Sequence, residues 1–271
     1  MMIRLYINKF MIFLSSLAAA LGLALLAWIL STLIFKGVTS ITPYIFTHDL
    51  IDNGIRNLLW GQLVLSSLAA VVGIPLGIMA GIYLQEYGGQ SRYSNFIRDL
   101  SDVMMSAPSI VIGTFIYAII VVPVGHTNGW AGAAALCVMM LPIIVRTTDD
   151  TLSLVPVELR EAGMAIGASK YHVTIHIILK AGKTGIITGI ILAFSRIVGE
   201  TAPLLYTSGS SIYMPNDLSS TYPSMTVSIY NLATMPNEQL VSLAWGAALV
   251  LTLVVLMLNI LGRFMINGRN K

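Results

Sequence analysis

Residues 185–205 read GIITGIILAFSRIVGETAPLL, an uncharged apolar run that leads directly into Arg196 and Glu200. Apart from these two charges the stretch has the character of a membrane-spanning helix. Charge at bilayer depth costs about 2.5–3.5 kcal/mol per residue on insertion scales. A cost of that size has two explanations: a self-neutralising pair that lets the helix insert, or a working site. The composition fixes the medium. Of 271 residues, 56% are hydrophobic and only 10% are charged, against roughly 25% charged in an ordinary soluble domain. This deficit excludes a soluble globular core and predicts an all-α integral membrane protein.

Six stretches reach the roughly 20 apolar residues that a crossing needs: 11–35, 59–84, 103–124, 129–146, 184–206 and 241–264. The first apolar run, Phe10 to Phe35, exceeds the 7–15 residues of a signal-peptide core and reads as a retained helix. Gly73, Pro75, Gly77 and Gly81 in the second span lower helix propensity but allow neighbouring helices close approach. An even number of crossings puts both termini on one side. With that side inside, Arg4, Lys9, Arg92, Arg98, Arg146, Arg160, Lys170, Lys180, Lys183, Arg263, Arg269 and Lys271 face inward and only Lys36 and Arg56 face outward. Twelve against two is a strong positive-inside bias, so both termini are expected in the cytoplasm. The chain reads as one transmembrane domain, 1–271, without internal repeats. It has a long cytoplasmic loop at 147–183 and a long extracytoplasmic loop at 207–240 that carries no lysine or arginine.

In the cytoplasmic loop, Pro156 opens a helix over VELREAGMAIGA, and Val157, Ala162, Ala165 and Ala168 form a small-residue face. Glu158, Arg160 and Glu161 are then left to water, and Gly167 offers a turn into a second short helix, KYHVTIHIILK. Two short helices make a knob suited to a cleft on a soluble partner. The run EAGMAIGASKYHVTIHIIL resembles the EAA loop of ABC-transporter permeases through Glu161, Ala162, Gly167, Ile177 and Leu179, with Gly163 and Lys180 departing from the pattern. The resemblance implies that Glu161, Ala162 and Gly167 couple the chain to a nucleotide-binding subunit. A loop of interfacial helices without a docking role is the competing reading.

Other motifs fall away. Gly182–Thr184 spells GKT, but the first glycine of a phosphate-binding loop would fall on Ile177, so the chain holds no ATP site of its own. His172 and His176 lie four apart without a carboxylate or cysteine to complete a metal site, and none is expected. Cys137 is alone in an apolar run and reads as a packing residue. Asp149 and Asp150 read as a solvated helix end beyond Arg146.

Arg196 counts about twelve residues into its span, near the membrane midplane, with Glu200 one turn on along the same face. A guanidinium fork matches an oxyanion bidentately. Glu200 would hold Arg196 while the path is empty and yield it to an arriving anion, keeping binding weak enough for release. Pro203 deprives the Gly199 carbonyl of its helical donor, so Gly199 and Pro203 form a candidate hinge, and Ser195 and Thr201 offer neutral hydrogen bonds. RIVGETAPLL, together with GIPLGIMAGIYLQEY (73–87), SAPSIVIGTFIY (106–117) and YPSMTVSIY (222–230), resembles the phosphate ABC-transporter permeases over about residues 54–265.

That resemblance implies a six-helix importer permease in a bacterial inner membrane that moves phosphate past Arg196, Glu200 and Thr201. It implies a homologous permease subunit, two cytoplasmic ATPase subunits that bind ATP and Mg, and an extracytoplasmic phosphate-binding protein. Lipid surrounds it, nucleic acid is not a partner, and the chain itself is not an enzyme. Another oxyanion as substrate, or a proton-coupled secondary carrier in which Glu200 titrates, are the alternatives. Secondary carriers commonly show repeats between their halves, which this chain lacks.

Overall fold

The computed structural model describes residues 2–215 and 217–267, and no strand occurs among them. Arg269 and Lys271, counted above among the inward basic residues, lie outside the described residues. Five helices are long and apolar enough to cross a membrane, and a sixth candidate is a pair of helices that meets the same length and hydropathy only when taken together.

Helix α1, Met2–Val38, buries none of its apolar window against the rest of the chain. It touches the bundle at its end, where Gly37 lets Leu249 approach so closely that a Cβ would sit 2.6 Å from the leucine Cβ. Helix α2, Arg56–Ile82, runs on through a π-helical turn at Tyr83–Gly88.

Next come α3, Arg92–Ser106, and α4, Ser109–Ile116 with its continuation to Val124, which meet at 104°. The expected span 103–124 is not one straight helix: its first turn belongs to α3, and the remainder begins at Ser109. Pro108 forces Ala107 out of the helical region, and both residues are extended, with ψ of 139° and 131°. The apolar run Val103–Met105 hides this break from a hydropathy count.

Helix α5, Gly129–Ser153, starts at Asn128, whose side chain accepts the Ala131 N–H at 2.8 Å. It continues seven residues beyond the expected end at Arg146, because the charges there are paired. Arg146 binds Asp150 at 3.1 Å and Asp102 of α3 at 3.6 Å. Asp149 is not a solvated helix end. It is buried and accepts two bonds from Arg98 of α3, at 2.7 and 3.2 Å. Arg98 also donates to the carbonyls of Leu84 and Gly89, so α3 is pinned beneath the end of α2.

Helix α6, Val157–Ala165, follows, and then α7, Lys170–Val198. The expected short helix KYHVTIHIILK is the first part of α7, joined to the span through a π-helical turn at Thr174–Ile178. The sequence Lys170–Lys180 contains no proline or glycine to interrupt it. After α7 come the short α8, Ala202–Thr207, then α9, Met225–Ala233, within the 207–240 loop, and α10, Glu238–Asn267.

The core lies where α2, α5, α7 and α8 meet, around Leu65, Leu136, Met140, Ile144, Ile197 and Leu204. Gly73, Gly77 and Gly81 repeat every four residues along one face of α2. Opposite them on α5 stand Met140, Ile144 and Thr148, at the same spacing. A Cβ at Gly77 would lie 2.8 Å from the Ile144 Cβ, and one at Gly81 would lie 2.5 Å from the Thr148 Cβ. The two backbones approach to a distance only glycine allows.

Gly77→Leu is accordingly expected to destabilise the subunit by about 1–3 kcal/mol through overpacking. Gly22→Leu on α1, where a Cβ would have no neighbour within 4 Å, is expected to leave thermal unfolding in detergent unchanged. By the same measurement, Asp149→Asn should cost about 3–5 kcal/mol by stranding the enclosed Arg98 charge. Asp150→Asn, with that aspartate 59% exposed, should cost less than about 1 kcal/mol.

Candidate functional site

The helix that carries Arg196 stops inside the bundle. Helix α7 ends at Val198, Gly199 sits at φ −93° and ψ 0°, and α8 restarts at Ala202. Pro203 is buried in the first turn of α8, where a missing N–H costs nothing. Arg196 lies in the last turn of α7, where the unpaired carbonyls of a helix end favour a cation. Its Nε is 3.5 Å from Glu200 Oε1, a looser contact than the ion pairs of Arg98 and of Arg160, each 2.7 Å. The Arg196 side chain is 46% exposed and that of Glu200 18%.

Thus Arg196, Gly199, Glu200, Thr201 and Pro203 are brought together as one break. The Ser195 hydroxyl is buried and has no hydrogen-bond partner among the described residues. The side chain of Thr201 makes no cap to α8.

The level of the break differs from a count starting at Thr184. Because α7 begins at Lys170, Arg196 stands near the end of a 29-residue helix. Val198 is level with Gln62, six residues from the start of α2, or about 9 Å along it. The break therefore lies nearer the end of the bundle that carries Arg56 than the basic end that carries Arg98, Arg146 and Arg160.

Polar groups that sequence reading left out hold the break together. Gln62 is buried, donates from Nε2 to the Val198 carbonyl at 3.0 Å, and accepts from the Ser224 hydroxyl and the Met225 N–H at 3.1 and 3.2 Å. Thr226 donates its hydroxyl to the Glu200 carbonyl at 2.8 Å. The available signal was a polar amide within the apolar run LLWGQLVL (58–65), which lipid cannot satisfy. An apolar crevice of about 650 Å³ beside Gln62, Ser66, Phe194 and Val198 offers an oxyanion little. Its one cation, Arg56 at the mouth, is engaged by Asp49 at 3.0 Å.

At the basic end, α6 stands out from the bundle as a knob. Glu161, Ala162 and Gly167 are all exposed, as are Leu154 and Ile166, each 83%. The expected small-residue face is corrected, since Val157, Ala162 and Ala165 point outward. Gly163 is the buried residue, and a Cβ there would meet Val173 and Ile177 at 2.9 Å. Gly167 adopts φ +86°, and the bonds Ala168 N–H to Gly163 and Gly167 N–H to Met164 close the helix in a Schellman turn.

Arg160, expected in water, instead grips Glu86 at the end of α2 with contacts of 2.7 to 3.3 Å. It also donates to the carbonyls of Leu152 and Val155. His172 and His176 stack on each other at 4.0 Å, and no cluster of metal-binding side chains occurs among the described residues.

The arrangement of crossings, bent pair and protruding short helix is the fold of ABC-importer permease subunits. It matches a chain of a bacterial ABC transporter involved in the import of the acidic polysaccharide alginate with a TM-score of 0.66 at 14% identity, covering 94% of this chain and 96% of that one. It matches an inward-facing MetNI methionine ABC transporter chain with a TM-score of 0.63 at 16% identity, covering 84% of this chain and 99% of that one.

Residues 73–268 match the family described as binding-protein-dependent transport system inner membrane component, and the chain belongs to that family. Among its relatives is the phosphate transport system permease protein PstA of Haemophilus influenzae, 43% identical over 94% of this chain and 92% of the relative. The PstA of Xylella fastidiosa is 40% identical over 99% and 95% respectively.

Arg196→Lys keeps the charge and loses the fork. It is expected to lower uptake of the transported anion by at least about tenfold, as loss of a charge-assisted bidentate contact does. Assembly, read by co-purification with partner subunits, should stay at the wild-type level.

Proposed function

We propose that this chain is the membrane-spanning permease subunit of an ATP-driven importer that carries inorganic phosphate across a bacterial inner membrane. The observation that carries the reading is the 40–43% identity to phosphate permeases over nearly the whole chain. The chemistry of the break supports it. Arg196 keeps nearly half its side chain exposed on a lone subunit, so an anion has room to reach the guanidinium. The 3.5 Å contact with Glu200 is loose enough to be exchanged for a phosphate oxygen and restored when phosphate leaves. Thr201 adds a neutral donor beside it. Gly199 and Pro203 frame the joint at which the backbone changes direction.

The distribution of arginine and lysine puts the basic end, and both termini, in the cytoplasm. The knob of Glu161, Ala162 and Gly167 then meets one of two ATPase subunits, which hold ATP and Mg. This chain supplies no cofactor site and no hydrolysis of its own. A second, homologous permease completes the passage beside Arg196. An extracytoplasmic phosphate-binding protein delivers the anion near the 207–240 segment, which has no basic residue to trap it.

The test is uptake of labelled phosphate by cells lacking this chain, with and without its restoration, in the presence of sulfate or arsenate. Restored uptake blocked by arsenate and untouched by sulfate is the expected result. Inhibition by sulfate at equal concentration would assign the site to oxyanions in general. Glu161→Lys is expected to abolish uptake while leaving the subunit in the membrane, because it reverses the charge on the exposed knob.

A further inference from the structure

Helix α2 is gripped by buried polar groups at both ends. At the basic end, Glu86 is 5% exposed and holds Arg160 of α6, the residue next to Glu161. The same guanidinium takes the Leu152 and Val155 carbonyls at the end of α5, so α6 cannot shift without pulling on α2 and α5 together. At the other end, 24 residues and about 36 Å away, Gln62 grips the broken helix. Its Nε2 makes the hydrogen bond that the structure gives to the Val198 carbonyl, a group whose helical donor is lost at the break. Its Oε1 ties the same point to the start of α9 through Ser224 and Met225. Between the two grips, Gly77 and Gly81 seat α2 directly on Ile144 and Thr148 of α5, with no long side chain to absorb a displacement.

We propose that Gln62 is the positioning residue of the Arg196–Glu200 gate, and that α2 is the rod through which α6 sets that gate. The proposal rests on the importer reading above but not on the identity of the anion. Movement of α6 reaches Glu86 through Arg160, travels along α2, and changes the geometry at Val198 through the Gln62 amide. Gln62 touches no substrate. It fixes where α7 stops, and so where Arg196 and Glu200 stand.

The test uses the assembled transporter in proteoliposomes, with its ATPase and with the phosphate-binding protein supplied at the face opposite the ATPase. Cys137, the chain's one cysteine, is replaced by alanine, and Ala202→Cys at the start of α8 reports the gate. Labelling of that thiol by a membrane-impermeant maleimide is followed with and without ATP, beside ATP hydrolysis and labelled-phosphate uptake. ATP is expected to change the labelling rate. In Gln62→Leu, that change should fall by at least about fivefold, the lower end of what a buried carbonyl left bare carries, while hydrolysis per assembled transporter persists. A residue that only stabilised the fold would lower hydrolysis and labelling response together.

Arg160→Met, at the far grip, supplies a second arm and is expected to give the same loss. An undiminished ATP response in either assembled variant overturns the proposal, as does a reporter that never responds to ATP. A normal ATP response with no phosphate uptake in the otherwise unsubstituted chain overturns the phosphate assignment and leaves the rod in place.

Discussion

A helix that stops within a membrane bundle leaves carbonyl groups that lipid cannot hydrogen-bond. The end of α7 at Val198 is such a stop, and much of the bundle is arranged to satisfy it. Gln62 of α2 reaches the Val198 carbonyl, and Thr226 of α9 reaches that of Glu200. Because these donors come from different helices, the break fixes the positions of α2 and α9 as firmly as they fix the break. Pro203 starts α8 at a point where its missing N–H is harmless. Arg196 and Glu200 are then presented on opposite sides of a backbone joint rather than along one continuous helix face.

The basic end uses the same logic with charge in place of amides. Arg98 joins α3 to α5 through Asp149 and to the end of α2 through two carbonyls. Arg160 joins α6 to α2 through Glu86 and to the end of α5 through two more. Each guanidinium thus closes a helix end and an ion pair at once, which its fork of donors allows and a lysine would not. The looser pair, Arg196 with Glu200, is the one set beside the joint. The pairs of Arg98 and Arg160 are each 2.7 Å, whereas the pair at the break is 3.5 Å.

Much of this was legible in the sequence because apolar length and charge placement are local signals. The runs at 59–84 and 241–264, the protruding helix around Glu161, and the turn at Gly167 needed nothing distant to be read. What escaped depends on partners far along the chain. Asp149 looks like a surface charge until Arg98, 51 residues earlier, is brought beneath it. Arg160 looks solvated until Glu86, 74 residues away, meets it. The break at Pro108 was masked by Val103–Met105, since a hydropathy count does not register direction. Gln62 carried the same warning as Arg196, a polar group in an apolar run, in a quieter form: an amide has no net charge to draw attention.

The isolation of α1 bears on how the chain is made. No residue of its apolar window is buried by later helices, whereas 67% of the window in α5 is buried. During synthesis α1 can enter the bilayer and stay there on its own hydropathy, before any later helix has been made. Helix α5 brings Asp149 to the basic end after its partner Arg98, 51 residues earlier, has been made. Glu86 likewise precedes Arg160. In both pairs the first partner is made at the basic end, near water, and is sealed in only when the second appears. The order of the sequence thereby spares the half-built bundle from enclosing a lone charge.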